Sequence, residues 1–359
     1  MSIHEILIAV MAVFAVLGAL DRIIGNRFGI GQEFENGILA MGSLAIAMVG
    51  IIVLAPVLAE ILRPVVVPVY GFLGADPAMF AGTILACDMG GGALAQAMTE
   101  DSQAALLGGV LCGSMLGATI VFTIPVALGI LQEKDRPYLA KGVLCGIVTI
   151  PVGLLAGGLV AGFPVIMVLR NLVPIVVIAV LIALGLWKAE KWMIKGFYWF
   201  GKAIVALITA GLAASIVETL TGFTIIPGLA PIEEGFQTVG AIAIVLAGAF
   251  PLVFAITRLL RKPLGKLGQL LGVNDTAAAG LVASLANSIA TFGLVKEMDK
   301  RGKVLNIAFA VSAAFVFGDH LGFTAGFAPE MLPAVIVGKL AGGVSAVLLA
   351  LLLTRKMDN

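Results

Sequence analysis

The chain has 359 residues, 60% of them hydrophobic and 12% charged, with a mean hydropathy of +1.13 and a formal net charge of +1. So little polar surface cannot solvate a water-soluble globule of this size, which points to an all-α polytopic protein embedded in a lipid bilayer. The near balance of acidic and basic residues gives no reason to expect a nucleic-acid partner.

Crossing the hydrocarbon core takes about twenty apolar residues. Taken in chain order, such stretches are predicted near Ile3–Leu20, Gly37–Ala59, Gln103–Leu131, Tyr138–Ala161, Val165–Leu186, Gly201–Thr221, Val239–Thr257, Val304–Leu321 and Leu332–Leu353. Two more, Ala78–Met98 and Ala277–Val295, can be read as full spans or as hairpins that enter and leave on one side. The first span follows His4 and Glu5 rather than a basic segment, so it is expected to be retained rather than cleaved as a signal peptide. Asp21 and Arg22, at its end, read as a local ion pair.

Lys and Arg favour cytoplasmic loops, and their placement decides between the readings. Eleven full spans split them almost evenly. Nine spans plus two re-entrant hairpins put Arg22, Arg27, Lys134, Arg136, Lys141, Lys188, Lys191, Lys195, Arg258, Arg261, Lys262, Lys266, Lys296, Lys300, Arg301, Lys303, Arg355 and Lys356 on one side. Only Arg63 and Arg170 fall on the other. The nine-span reading is therefore preferred, with the N-terminus outside and the C-terminus inside. Lys202 and Lys339 lie within spans and are expected to snorkel toward an interface.

The second half repeats the first at a fixed offset. Gly42, Gly50, Gly74 and Gly82 recur as Gly240, Gly248, Gly272 and Gly280, and Arg63, Ser114 and Lys141 recur as Arg261, Ser312 and Lys339. Internal duplication in an apolar chain is characteristic of carriers, whose sites lie at the repeat interface. Residues 1–162 form the first repeat, 163–198 a connecting span with a basic loop, and 199–359 the second repeat. Four spans plus one connector turn the second copy upside down, which makes the repeat inverted.

Each hairpin then needs a turn at membrane depth. The first carries Asp88, Gly90, Gly91 and Gly92 in ACDMGGG, where consecutive glycines abandon a helix at about 1 kcal/mol each relative to Ala. The second carries Ser284, Asn287 and Ser288 around LANS. Unwound backbone at this depth is tolerated only where it is buried in protein or lines a cavity, so both tips are candidate substrate surfaces. A carboxylate at Asp88 suits a cationic or protonatable solute; the alternative is a solvated turn near the headgroups. Asn287, Ser284 and Ser288 offer neutral ligands, or simply hold helices together. A further pair, Asp319 and His320 in FGDHLGF, is read at the outer end of a span as a proton or amine site, a gate or a cap.

Cys87, Cys112 and Cys145 are isolated and only His4 and His320 exist, so no metal site, cofactor or His-based catalysis is expected. No GxxxxGK[ST] loop is present to bind ATP.

Long strings carry a family resemblance: AMGSLAIAMVG (Ala40–Gly50), MFAGTILACDMGG (Met79–Gly91), TIVFTIPVALGI (Thr119–Ile130), GIVTIPVG (Gly146–Gly153), AAAGLVASLAN (Ala277–Asn287), MDKRGKV (Met298–Val304) and AFAVSAAFVFGDHLGF (Ala308–Phe323). In these the chain resembles the EutH-type ethanolamine permeases over essentially its whole length, departing mainly in shorter loops around Ala161–Val165 and Asn26–Gln32. The resemblance implies uptake of ethanolamine across the bacterial cytoplasmic membrane, feeding an ammonia-lyase pathway, without enzymatic activity of its own. An ammonium paired with Asp88 and a hydroxyl on Asn287 or Ser288 would match that solute. A secondary carrier or facilitator with alternating access is the preferred mechanism. The rivals are a channel-like amine pore and a membrane sensor or scaffold that binds without transport, and a homo-oligomer is left open.

Overall fold

The structure, a computed structural model, describes residues 2–355, apart from the side chains of 260–269. Of the basic residues weighed above, Arg261, Lys262, Lys266 and Lys356 lie outside the described residues. Among the described residues every regular element is helical.

Helix α1 (Ile3–Ile23) starts from a reciprocal cap, in which Ser2 Oγ accepts from the Glu5 amide and Glu5 accepts from the Ser2 amide at 2.7 Å. It buries Met11, Gly18 and Asp21 and exposes Ile3, Val13, Val16, Leu20 and Ile23, a face suited to lipid rather than water. Asp21 does not pair with Arg22. Its carboxylate accepts from the amides of Phe28 (3.0 Å) and Gly31 (2.9 Å), holding the turn into α2, while Arg22 reaches Glu35.

Helix α2 (Ile30–Phe72) leads to two short helices, α3 (Ala78–Ile84) and α4 (Gly91–Met98). Next come α5 (Ser102–Ile130) and α6 (Arg136–Val160). Helix α7 (Val165–Thr221) is 57 residues long and leaves helical geometry at Ala189. At 1.5 Å per residue that is about 86 Å, against a hydrocarbon core of about 30 Å. The Lys188–Lys195 segment expected as a loop is thus a bent helical connection. The second half has α8 (Ile232–Leu271), short α9 (Asp275–Ala286) and α10 (Ser288–Leu294), α11 (Lys300–Ala313), α12 (Asp319–Phe327) and α13 (Leu332–Leu353). Among the described residues seven helices are long and apolar enough to cross a membrane, and the protein is a multi-pass membrane protein.

Both stretches left open between spans and hairpins are broken where breakers were expected. Gly90, at φ 91°, ends the first break; Asn287, in extended geometry, makes the second. The span expected over Val304–Leu321 is a correction. Its backbone departs from the helix between Ala313 and Asp319, because the Phe315 and Phe317 amides donate to the carbonyls of Ser284 and Leu285 instead of to their own helix. FGDHLGF therefore sits at the break that separates Lys300–Ala313 from Asp319–Phe327. At the 198-residue offset the same place in α5 is a π-helical stretch over Leu106–Gly117 and Thr119–Thr123. One weak point is widened in one half and broken in the other.

Close contacts recur at that offset. Gly37 lies against Leu246 and Ala247 while Gly235 lies against Val49; Gly50 lies against Ile208 while Gly248 lies against Met11. Helices α2 and α8 consequently run antiparallel. So do α6 and α13, where Gly153 meets Gly338, Gly157 meets Ala334 and Thr149 Oγ1 donates to the Gly342 carbonyl.

A buried ion pair clamps the halves together: Lys303 Nζ at the start of α11 is 2.6 Å from Asp135 Oδ1 at the start of α6. Removing one partner of a buried pair strands the other charge. Lys303→Gln is expected to destabilise the fold by about 3–5 kcal/mol, read as a lowered thermal unfolding midpoint in detergent, with Lys303→Arg losing much less.

Candidate substrate site

Helix α5 carries the glycines that seat the first break. Gly108 lies against the Ala78 carbonyl, Gly113 against the Cys87 amide and Gly117 against the Leu85 carbonyl. A side chain at any of them would push the α3–α4 hairpin away. The break runs from Leu85 through a 3₁₀ turn at Cys87–Met89 to Gly90, whose left-handed conformation starts α4. The Gly91 amide closes the turn on the Ala86 carbonyl at 2.9 Å, and Gly92 packs under Phe323 and Phe327 of α12. Asp88 is held at the apex.

The second break brings Asp319 and His320 to the same place. Phe315 takes φ 62°, a left-handed conformation that costs a bulky residue strain and concentrates at functional sites. Its ring lies 5.5 Å from that of Phe122 and 5.1 Å from the His320 imidazole. His320 Nε2 is 3.8 Å from Asp88 Oδ1, and His320 Nδ1 is 3.1 Å from Lys339 Nζ. Lys339 also donates to the Ser114 carbonyl at 2.5 Å. A line of three ionisable groups thus runs inward from Asp88, whose side chain is 15% exposed, to Lys339, which is 1% exposed.

Asp88, Asp319 and His320 line one cavity of about 630 Å³, within the usual range for small-molecule sites. Its walls are Ser43, Leu44 and Ala47 of α2, Val121, Phe122 and Pro125 of α5, and Tyr198 and Lys202 of α7. Lys202 Nζ sits 4.8 Å from the centre of the Tyr198 ring, a cation–π contact beside the cavity. Among the described residues no side-chain hydrogen bond or ion pair reaches the Asp319 carboxylate. Cys87 Sγ, Asp88 and His320 present ligand atoms within 4.8 Å of one another, but the Lys339 nitrogen on His320 already supplies a positive charge there. A larger cavity of about 880 Å³ lies between α8 and α9; its charged lining residues, Arg258, Asp275 and Glu297, are all exposed and form no buried cluster.

The other expected site residues are placed differently. Ser284 Oγ donates to the Leu281 carbonyl, Asn287 Oδ1 accepts from the Ile289 amide to cap α10, and the Ser288 hydroxyl is buried without a partner. None of the three lines the Asp88 cavity, because the backbone of their break is tied to Phe315 and Phe317. Lys339 was missed as a site residue. It lies about 11 Å along α13 from Leu332 and is 1% exposed, and its place two turns inside an apolar segment was the available signal.

The profile of the family described as "Ethanolamine utilisation protein, EutH" matches residues 3–353. A relative from Listeria monocytogenes serotype 1/2a (strain 10403S), named "Probable ethanolamine permease EutH", is 62% identical over 357 residues, covering 99% of this chain and 96% of its own length. The Escherichia coli (strain K12) protein of the same name is 50% identical, covering 100% of this chain and 97% of its own length. A Bacillus subtilis (strain 168) relative, named "Uncharacterized protein YxeR", is 52% identical, covering 96% of this chain and 94% of its own. No solved structure matches the chain. On this near-complete match of profile and relatives, the chain belongs to the EutH family of ethanolamine utilisation proteins.

Proposed function

We propose that this protein carries ethanolamine, as its ammonium form, across the bacterial cytoplasmic membrane by alternating access between two inverted halves. The relatives named as probable ethanolamine permeases supply the solute. The observation that carries the mechanism is a difference between the two halves at equivalent places. In the second half Gly322 of α12 is packed on Leu246 of α8, and Gly326 on Ile242. In the first half the equivalent helices, α5 and α2, stand apart and the cavity lies between them. Two copies of one unit in different states are what an alternating carrier needs.

The reading counts nine spans, with α7 as two and α11 with α12 as one, and two re-entrant hairpins, α3–α4 and α9–α10. The antiparallel pairing of equivalent helices and the basic-residue bias support it. With the N-terminus outside, the closed α8–α12 contact faces out and the cavity opens inward past Tyr198 and Lys202. The ammonium pairs with Asp88 and Asp319 at the inner end of the cavity, and Ser43 and Tyr198 are the hydroxyl-bearing groups nearest to hand for the alcohol. Exchange of states would close α2 on α5 and part α8 from α12.

Labelled ethanolamine uptake into proteoliposomes at acidic pH tests the site. Uptake by the native chain is expected to saturate, and Asp88→Asn to lower it at least about tenfold, the loss of one charge-assisted contact. Undiminished uptake in the variant would move the site elsewhere, and non-saturable native uptake would favour a pore. A second experiment tests the motion. Cysteines at Gly322→Cys and Leu246→Cys are close enough for a disulfide across the closed contact. Oxidation should stop uptake and reduction restore it; transport that continues through the oxidised pair would contradict alternating access.

A further inference from the structure

The charges at the site do not balance, and the remainder is at least one negative charge. Asp88 and Asp319 contribute two carboxylates to one cavity. Lys339 and His320 contribute at most one positive charge between them. With their nitrogens 3.1 Å apart, one must donate and the other accept, whereas protonating both would set two donors head to head. The other groups facing Asp88 leave this count unchanged: Cys87, its buried neighbour, is counted as a thiol, Tyr198 is a phenol, and Lys202 is exposed and rests on the Tyr198 and Trp199 rings. The α2 wall, through Ser43, Leu44 and Ala47, and the α5 wall, through Val121, Phe122 and Pro125, add no ionisable side chain.

An excess negative charge in a low-dielectric site needs a cation. We propose that a proton carried by either Asp88 or Asp319 fills this place when the site is empty, and that an incoming ethanolammonium displaces it one for one. This rests on the carrier reading above and deepens it: transport becomes an electroneutral exchange of one ammonium for one proton. No bond other than O–H is broken, the released proton leaves through the cavity, and Lys339 stays as the fixed counter-charge. The net result equals movement of the free amine, achieved at a pH where almost none of the solute is in that form. The membrane potential does no work on the cycle.

Titration calorimetry of the purified whole protein with ethanolamine hydrochloride near pH 6, in buffers of different ionisation enthalpy, counts the protons. One proton released per ammonium bound is expected. Asp319→Asn, which leaves Asp88 balanced by the Lys339–His320 pair, is expected to bind more weakly and release none. Binding to the native chain with no proton released would overturn the exchange while leaving the carrier reading intact. In proteoliposomes carrying a lumenal pH dye, with protein-free vesicles subtracted, uptake should make the lumen alkaline at a rate unchanged by an imposed potassium diffusion potential. Potential-driven uptake without a pH change, or acidification of the lumen, would overturn it. Absence of both binding and uptake would remove the carrier reading and the exchange with it.

Discussion

Everything at the site depends on one constraint: backbone that leaves the helix at membrane depth must be buried against protein, since lipid offers its amides and carbonyls nothing. The first break meets it by lying on the glycine-bearing face of α5, where Gly113 and Gly117 let the Cys87 amide and Leu85 carbonyl come close. The second break meets it by giving Ser284 and Leu285 carbonyls to the amides of Phe315 and Phe317. Those two solutions place Asp88 on one side of His320 and Lys339 on the other. The chemistry is therefore a consequence of how unwound backbone is sheltered, and substitutions that disturb the shelter should disturb the charges.

The same constraint explains why the halves can differ. A helix widened into π turns in α5 and broken between α11 and α12 occupies the same position at the 198-residue offset. In the proposed cycle each such position would exchange between these two geometries, moving a helix end toward or away from its neighbour. With α12 closed on α8 and α5 parted from α2, the molecule holds one geometry in each half. The Lys303–Asp135 pair and the Gly153–Gly338 crossing lie outside the cavity lining and join the two halves of the chain.

Much of this was legible in the sequence because composition and glycine spacing report directly on backbone. Helix α13 was read with the bounds Leu332–Leu353, and both broken stretches were placed where three glycines or an Asn-Ser pair weaken the helix. The break at Phe315–Gly318 was not foreseen, since Val, Phe and Ala continue a helix perfectly well and only tertiary hydrogen bonds to Ser284 and Leu285 end it. Asp88, Asp319 and His320 could be chosen as costly groups in an apolar chain, but their convergence on one cavity depends on two breaks meeting. Asn287, Ser284 and Ser288 draw attention as polar groups at a helix break, but Asn287 and Ser284 are bonded locally, Ser288 is buried without a partner, and none of the three lines the cavity. Lys339 reads in sequence as a snorkelling residue, but its ammonium is buried and turned to His320 and the Ser114 carbonyl.

The central claim is that the two halves are inverted around the Asp88 cavity. Glu100 and Lys300 are exposed and stand just before α5 and at the start of α11, the equivalent helices of the two repeats. Glu100→Cys and Lys300→Cys variants, probed in intact cells with a membrane-impermeant maleimide, report the side of each. Labelling of the first in intact cells, and of the second only after permeabilisation, is the result this account predicts. Labelling of both from the same side would mean parallel halves and contradict it.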